Sequence, residues 1–128
     1  MKLLLDTHAL LWWFADDVRL SAVARSMIAS ADSEIWVSAA SAWEISTKAR
    51  IGKLSGVDRL LAEFDSLLML AGFKHLTITH RHAILAGGFK AQHRDPFDRM
   101  LAAQAMTEQA ILLSNDSELT AFGVVLAW

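Results

Sequence analysis

Short apolar runs alternate with longer amphipathic segments along the whole chain, and this alternation restricts the possible folds more than any other feature. Apolar runs with β-branched or aromatic residues predict strands; these cover residues 3–5, 34–38, 75–79, 110–114 and 124–128. Helical spacing and capping residues predict helices between them; these cover residues 8–14, 22–30, 39–52, 57–70, 80–86 and 95–109, with a helical turn over 116–122. Strands joined through helices pair in parallel, because a parallel connection must cross over the sheet. We therefore expect an α/β fold, a three-layer α/β/α sandwich with a mostly parallel central sheet.

Length and composition indicate one folded domain. The chain has 128 residues, of which 54% are hydrophobic, so we expect a single domain over 1–128 with a substantial core. It has no cysteine, which excludes disulfide scaffolds, thiolate metal sites and cysteine nucleophiles. The formal net charge is −2, so any binding of nucleic acid would not rest on bulk positive charge.

The N-terminus has some features of a signal peptide, with Lys2, an apolar stretch and the sequence SAVA at 21–24. However, Asp6 and His8 interrupt the apolar stretch, and further charges precede the apparent cleavage site. No uninterrupted apolar run reaches the roughly 20 residues that a membrane-spanning helix needs. We therefore expect a cytoplasmic protein that does not contact a membrane.

Several acidic residues lie at or near the predicted carboxyl ends of the strands, along one edge of the sheet. Asp6 directly follows the first apolar run, and Asp116 comes shortly after the fourth. Because open parallel sheets bind ligands beyond the carboxyl ends of their strands, both carboxylates are expected at that edge. Glu44 is the only charged residue in the segment WVSAASAWEI, early in the helix after the second strand. Asp98 lies in the first turn of the last long helix, where it completes a capping-box-like pattern with Asp95.

Each of these acidic residues also has a purely structural interpretation. Asp6 and Asp116 could cap the turns that follow them. Glu44 could be a solvated residue, and Asp98 could simply interact well with the helix dipole. If the four converge, like charges about 4 Å apart repel by about 4 kcal/mol at an effective dielectric near 20, so protons or cations must neutralise them. Oxygen ligands without cysteine suit Mg²⁺ or Mn²⁺, and two such ions can activate water and stabilise the leaving oxygen at a phosphodiester.

Four segments carry a resemblance to a known family: LLLDTHALLWW, SAASAWEISTKARIGKL, HRDPFDRMLAAQA and LLSNDSEL. In order and spacing they resemble the motifs of PIN-domain proteins and, within that family, those of the VapC-type toxins of bacterial toxin–antitoxin pairs. The resemblance covers nearly the whole chain, from residue 3 to the C-terminus. It implies a PIN-like fold and a Mg²⁺-dependent endoribonuclease, with Mn²⁺ as an alternative ion. It also implies an RNA substrate, a cognate antitoxin protein that blocks the acidic pocket, and a homodimer.

The resemblance assigns the acidic quartet of the family to four residues of this sequence: Asp6, Glu44, Asp98 and Asp116. The three aspartates would coordinate the metal, and Glu44 would be a further ligand or position the attacking water. Asp98 is assigned rather than Asp95, because the third acid of the family directly precedes a helix of the LAA type. Asp95 is then the expected helix cap.

Residues beside the quartet have further assignments that the resemblance implies. Glu118 would help to bind a second metal, or else be a surface residue of its helical turn. Ser114 would orient a carboxylate or a water molecule. Basic residues next to the motifs would contact RNA phosphates or the leaving group: His8, His93, Arg94 and Arg99. The alternative for each basic residue is a solvated charge or a contact with a helix terminus.

Two other functions stay open at this point. A phosphoacceptor receiver domain is also an α/β fold of about this length with Mg²⁺ held by carboxylates. It would need an acidic pair after the first strand and a lysine after a late strand, whereas Asp6 stands alone and no lysine lies beyond Lys90. A non-catalytic PIN-like module would bind RNA or a protein without cutting, and the presence of all four acids argues against it.

Overall fold

The computed structural model describes all 128 residues and consists of a parallel sheet covered by helices. The five strands are β1 (Lys2–Leu5), β2 (Glu34–Ser38), β3 (Lys74–Leu76), β4 (Ile111–Leu113) and β5 (Leu126–Ala127). The helices are α1 (Thr7–Phe14), α2 (Ala22–Ala29), α3 (Ala39–Arg50), α4 (Asp58–Ala62), α5 (Phe64–Ala71), α6 (His80–Gly88), α7 (Pro96–Thr107) and a 3₁₀ helix (Ser117–Phe122). None of the helices is both long enough and apolar enough to span a membrane. All neighbouring strands are parallel, in the order β3-β2-β1-β4-β5, so the predicted α/β fold is confirmed with a wholly parallel sheet.

The side chains of β1 alternate between two apolar cores, one on each face of the sheet. Leu3 and Leu5 belong to the larger core, to which α1, α2, α3, α4 and α5 also contribute. Leu4 belongs to the second core, which contains Leu101 of α7 and Phe122 of the 3₁₀ helix. All three leucines of β1 are fully buried. Helices therefore cover both faces of the central strand, which gives the predicted three layers.

Several elements differ in extent from the sequence-based prediction. The helix predicted over 57–70 is two helices, α4 and α5, because Glu63 between them leaves helical geometry (φ −120°, ψ 29°). The strand predicted over 75–79 stops early, since Thr79 instead caps α6 by accepting a hydrogen bond from the His82 backbone N–H (3.2 Å). The last strand is also shorter than predicted, and α6 continues through Gly87 and Gly88, two residues beyond its predicted end.

The strand order creates a topological switch point at the carboxyl ends of β1 and β4. The chain passes from β1 to β2 and β3 on one side of the sheet, and then to β4 and β5 on the other. Open α/β sheets bind their ligands at such a point. Asp6 and Ser114 directly follow these two strands, and the Asp6 backbone N–H donates to the Leu113 carbonyl oxygen (3.1 Å). The fold thus brings the first and fourth predicted acidic motifs side by side.

Candidate active site

Asp6 lies at the boundary between β1 and α1. Its carboxylate caps α1 by accepting a hydrogen bond from the Ala9 backbone N–H (2.7 Å). The residue is only 7% exposed, and burial raises the pKa of Asp6 above its ordinary value. The neighbouring Ser114 hydroxyl and Ala9 amide oppose this increase in pKa, whereas the nearby charge of Glu44 adds to it. Asp6 is therefore both a helix cap and a desolvated carboxylate that faces a second carboxylate.

Glu44 lies in the second turn of α3 and is only 4% exposed, so it is not a solvated surface residue. One of its carboxylate oxygens accepts a hydrogen bond from Thr7 Oγ1 (2.6 Å). The other oxygen forms an ion pair with Lys48, one helical turn later. Burial alone would lower the pKa of Lys48, but its hydrogen bond with Glu44 raises the pKa above the ordinary value. The nearby charges of Asp95 and Asp98 act in the same direction, so the acidic site contains an ammonium group of its own.

Asp98 and Asp95 have different roles at the start of α7. Asp95 caps the helix, because its carboxylate accepts hydrogen bonds from the backbone N–H groups of Phe97 (2.9 Å) and Asp98 (3.2 Å). The predicted capping-box-like role of Asp98 is wrong, since its carboxylate turns instead to Nε2 of His93 (2.8 Å). Burial raises the pKa of Asp98 to about 6, with a further contribution from the charges of Asp95 and Glu44. The imidazole opposes this change in pKa without cancelling it.

Asp116 supplies a fourth carboxylate from the loop after β4. It caps the 3₁₀ helix through the Glu118 backbone N–H (3.0 Å), and its own backbone N–H donates to Ser114 Oγ (3.1 Å). One ligand atom from each of His93, Asp98 and Asp116 lies within 4.8 Å of the others. The Glu118 carboxylate is 79% exposed and lies 4.0 Å from His93 Nδ1. It therefore lies on the solvent side of this group.

The four predicted acids all lie near the carboxyl edge of the sheet, but the group whose ligand atoms lie within 4.8 Å of one another contains Asp98 and Asp116 with His93, and does not include Asp6 or Glu44. The charge of Glu44 acts on both Asp6 and Asp98. Asp98 in turn lies beside Asp116. Carboxylate oxygens with one imidazole and no sulfur form a donor set that suits Mg²⁺ or Mn²⁺. A divalent cation would also favour the charged forms of the two carboxyl groups whose pKa values are raised, so these residues fit such an ion.

Comparison with protein families gives a match to the PIN domain over residues 3–124. The chain belongs to the PIN-domain family. This match confirms the family inferred from the four sequence motifs and excludes the receiver-domain alternative. Comparison with curated proteins gives no significant match.

Solved structures with a similar fold include two VapBC proteins and FitAcB. VapBC2 from Rickettsia felis, bound to a DNA fragment from its promoter, is 14% identical, with a TM-score of 0.71 over 99% of this chain and 98% of that chain. VapBC-1 from nontypeable Haemophilus influenzae is 13% identical, with a TM-score of 0.70 over 99% and 97%. FitAcB from Neisseria gonorrhoeae is 16% identical, with a TM-score of 0.60 over 97% and 95%. At these identities the likeness shows a shared fold.

Arg99 of this PIN domain holds a loop together, which differs from the RNA contact predicted for it. Its guanidinium group donates to five backbone carbonyl oxygens, those of Ala86, Gly87, Phe89, Ala91 and His93. These contacts fix the loop that brings His93 to Asp98. Because its donors are already used, we remove Arg99 from the candidate RNA contacts.

The other predicted RNA contacts are more accessible. His8 and Arg94 are both exposed. His8 lines a cavity together with Glu44 and Lys48, and its ring lies 5.4 Å from that of Trp12. Both residues therefore stay candidate contacts for a bound strand.

Two residues of the site were not among the predicted acidic ligands or their partners. His93 was considered only as an RNA contact, and its place beside Asp98 depends on the loop that Arg99 organises. Lys48 follows Glu44 at the i,i+4 spacing that favours ion pairs on a helix, so a signal for this pair was present in the sequence.

Proposed function

We propose that this PIN domain is a metal-dependent endoribonuclease that hydrolyses RNA phosphodiester bonds. The observation that carries the proposal is the set of four carboxylates near the carboxyl edge of the sheet, contributed by the residue after β1, by α3, by α7 and by the loop after β4. Two of the four, Asp6 and Asp98, have raised pKa values because burial and neighbouring charge disfavour their ionised forms. PIN domains are generally nucleases that depend on a divalent cation, which supports the same chemistry here.

Asp6, Asp98 and Asp116 are the proposed metal ligands, with Mg²⁺ as the ion and Mn²⁺ as an alternative. Glu44 either joins them or orients the attacking water. Glu118 is proposed to assist a second ion from the solvent side. A divalent cation bound by these residues would supply a water of lowered pKa and positive charge to stabilise the leaving oxygen of the phosphodiester.

The surrounding residues hold these carboxylates in position before any ion binds. Thr7 Oγ1 fixes one oxygen of Glu44, and the Ala9 backbone N–H fixes Asp6. Nε2 of His93 likewise fixes one carboxylate oxygen of Asp98. Ligands that are already oriented by hydrogen bonds bind a metal with less loss of conformational entropy, and their partners contribute to affinity and activity.

We further propose that the protein is the toxin of a toxin–antitoxin pair. Its motifs resemble those of VapC-type toxins, and the solved structures of similar fold include a toxin–antitoxin complex from Klebsiella pneumoniae. A cognate antitoxin would cover the acidic pocket. Beside that pocket lies a groove with an apolar wall that includes Leu11, Trp12 and Leu60, which suits a hydrophobic segment of such a partner. A homodimer and a cytoplasmic location are proposed on the same resemblance.

Cleavage of RNA by the purified protein tests the proposed activity. Internal breaks should appear with Mg²⁺ or Mn²⁺ and should stop when EDTA is added. Asp98→Asn removes a proposed ligand while it keeps the size of the side chain, and it should lower the rate by at least about a hundredfold. Asp95→Asn is the matched control, because asparagine also caps helices well and the variant should keep most of the activity.

The outcomes separate the proposed functions. Undiminished cleavage by the Asp98→Asn protein would refute the assignment of this residue as a ligand. Tight RNA binding without cleavage, with either ion present, would favour a non-catalytic module. Induced expression in a bacterium tests the toxin proposal, since the wild type should arrest growth and break RNA whereas Asp6→Ala should do neither.

A further inference from the structure

Lys48 places an ammonium group inside the acidic cluster. Its Nζ forms an ion pair with one carboxylate oxygen of Glu44, whose side chain is 5% exposed, whereas the Lys48 side chain is 32% exposed. The charges of Asp95 and Asp98 also act on this ammonium group. Lys48 therefore balances part of the negative charge of the cluster in the free protein.

Binding of a cation by Glu44 would leave this ammonium group without its partner. One oxygen of Glu44 accepts the hydrogen bond from Thr7 (2.6 Å), and the other is the one that Lys48 occupies. A divalent ion at Glu44 would compete for that oxygen and repel the ammonium group. Lysine has a flexible four-carbon stem, so its ammonium group can turn toward the open side of the site.

A second lysine lines the same cavity as Lys48. The cavity is lined by Thr7, His8, Leu11, Glu44, Lys48, Lys53, Leu54 and Asp95. Lys53 is exposed, and its backbone N–H donates to the Lys48 carbonyl oxygen (2.9 Å). Gly52, with φ +77°, permits the turn between α3 and Lys53. Two cationic side chains therefore lie next to the carboxylates at one opening.

A phosphodiester strand needs cationic contacts here, because the carboxylates of the cluster would otherwise repel it and the chain has a net charge of −2. We propose that Lys48 binds a backbone phosphate of the RNA strand, that Lys53 is a second contact, and that Glu44 holds Lys48 in place until a cation binds. This inference rests on the proposed ribonuclease function and adds to it two residues that bind the RNA strand.

The salt dependence of RNA binding tests this inference. A short fluorescein-labelled single-stranded RNA of mixed sequence is titrated with protein at several KCl concentrations, with Ca²⁺ in place of Mg²⁺ to slow hydrolysis. Removing one phosphate contact should lower the slope of log Kd against log salt by about 0.7. Lys48→Gln should show this change and weaken binding roughly threefold to tenfold, whereas Lys48→Arg should keep the wild-type slope. In cleavage assays with Mg²⁺, Lys48→Gln should raise KM more than it lowers kcat.

Lys74→Gln is the matched control. Lys74 is also paired with a carboxylate, that of Glu34 (3.5 Å), but it lies at the amino end of β3, away from the acidic site. This variant should bind RNA with the wild-type slope. If Lys48→Gln does not fold, as judged by circular dichroism, Lys53→Gln provides the same test at the second contact, because its side chain is exposed.

Each remaining outcome decides between alternatives. A wild-type slope for Lys48→Gln in a protein that still cleaves RNA would overturn this inference and leave the proposed function intact. If Lys48→Gln changes the Mg²⁺ affinity in calorimetry but leaves the salt slope of RNA binding unchanged, Lys48 is only a counter-ion of Glu44. That result would also overturn this inference. A wild-type protein that neither binds nor cleaves RNA would instead refute the proposed function itself.

Discussion

Replacing Asp98 by asparagine should stabilise the metal-free protein although it removes a proposed metal ligand. Burial and the charges of Asp95 and Glu44 raise the pKa of Asp98 from 3.8 to about 6, so the fold disfavours its charged form. That difference corresponds to about 3 kcal/mol of unfolding free energy. Because the side chain is 24% exposed, solvent screening reduces the effect to roughly 1–2 kcal/mol. Asparagine keeps the shape of the side chain, and its carbonyl oxygen can still accept the hydrogen bond from His93.

The pH dependence of this effect has a definite sign. A carboxyl group whose pKa is higher in the folded protein than in the unfolded chain destabilises the fold once it is ionised. The destabilisation by Asp98 should be absent at pH values below 3.8, grow as the pH rises to about 6, and stay constant above that. The unfolding free energy of Asp98→Asn should therefore exceed that of the wild type by roughly 1–2 kcal/mol near neutral pH. The two proteins should converge in acid.

Urea denaturation in EDTA across this pH range measures the difference. Asp95→Asn is the comparison variant: asparagine keeps the cap of α7, but it removes one of the charges that raise the pKa of Asp98, so we expect a smaller gain in stability than for Asp98→Asn. Adding Mg²⁺ should raise the denaturation midpoint of the wild type, since a ligand that binds the folded state stabilises it, and should leave Asp98→Asn nearly unchanged. An Asp98→Asn protein that is less stable than the wild type in EDTA near neutral pH would refute the reasoning. His93 and the N-terminus of α7 would then stabilise the charged carboxylate more than burial destabilises it.

Three further variants test contacts around the site. Thr7→Val should lower kcat for RNA cleavage by roughly tenfold, because Glu44 loses the donor that fixes one of its oxygens; an unchanged kcat would contradict this. Arg99→Lys should lower the unfolding free energy in urea by roughly 2 kcal/mol, because an ammonium group cannot satisfy all the loop carbonyl oxygens around His93; a wild-type midpoint would argue against the loop-holding role. Glu118→Gln should raise the Mg²⁺ concentration needed for half-maximal cleavage without lowering the maximal rate. If that concentration is the same as for the wild type, Glu118 does not assist metal binding and is only a surface residue.

The order of strands and helices was predictable because polar residues mark the ends of most apolar runs. β2 covers 34–38 as predicted, and β1 ends directly before Asp6. The break at Glu63 was not predictable from spacing, because the apolar positions on both sides fit one continuous helix. Only the packing of α4 and α5 against the larger core distinguishes two short helices from one long helix.

The four acids of the candidate site were predictable from strand ends and motif resemblance, whereas the residues that hold them were less so. His93 reaches Asp98 because Arg99 binds the backbone carbonyl oxygens of the preceding loop. Helix caps can be recognised in the sequence, but contacts between a side chain and the carbonyl oxygens of an irregular loop leave no such pattern. The spacing of Glu44 and Lys48 does predict an ion pair, but its burial within a negatively charged site depends on the tertiary fold.

A crystal grown with Mn²⁺ and measured at the manganese absorption edge tests most directly whether the acidic cluster is a metal site. We expect an anomalous peak between the carboxylates of Asp6, Asp98 and Asp116, and no such peak in crystals of Asp98→Asn. A wild-type crystal without a peak at this place, at a Mn²⁺ concentration that supports RNA cleavage in solution, would contradict the assignment of these residues as metal ligands.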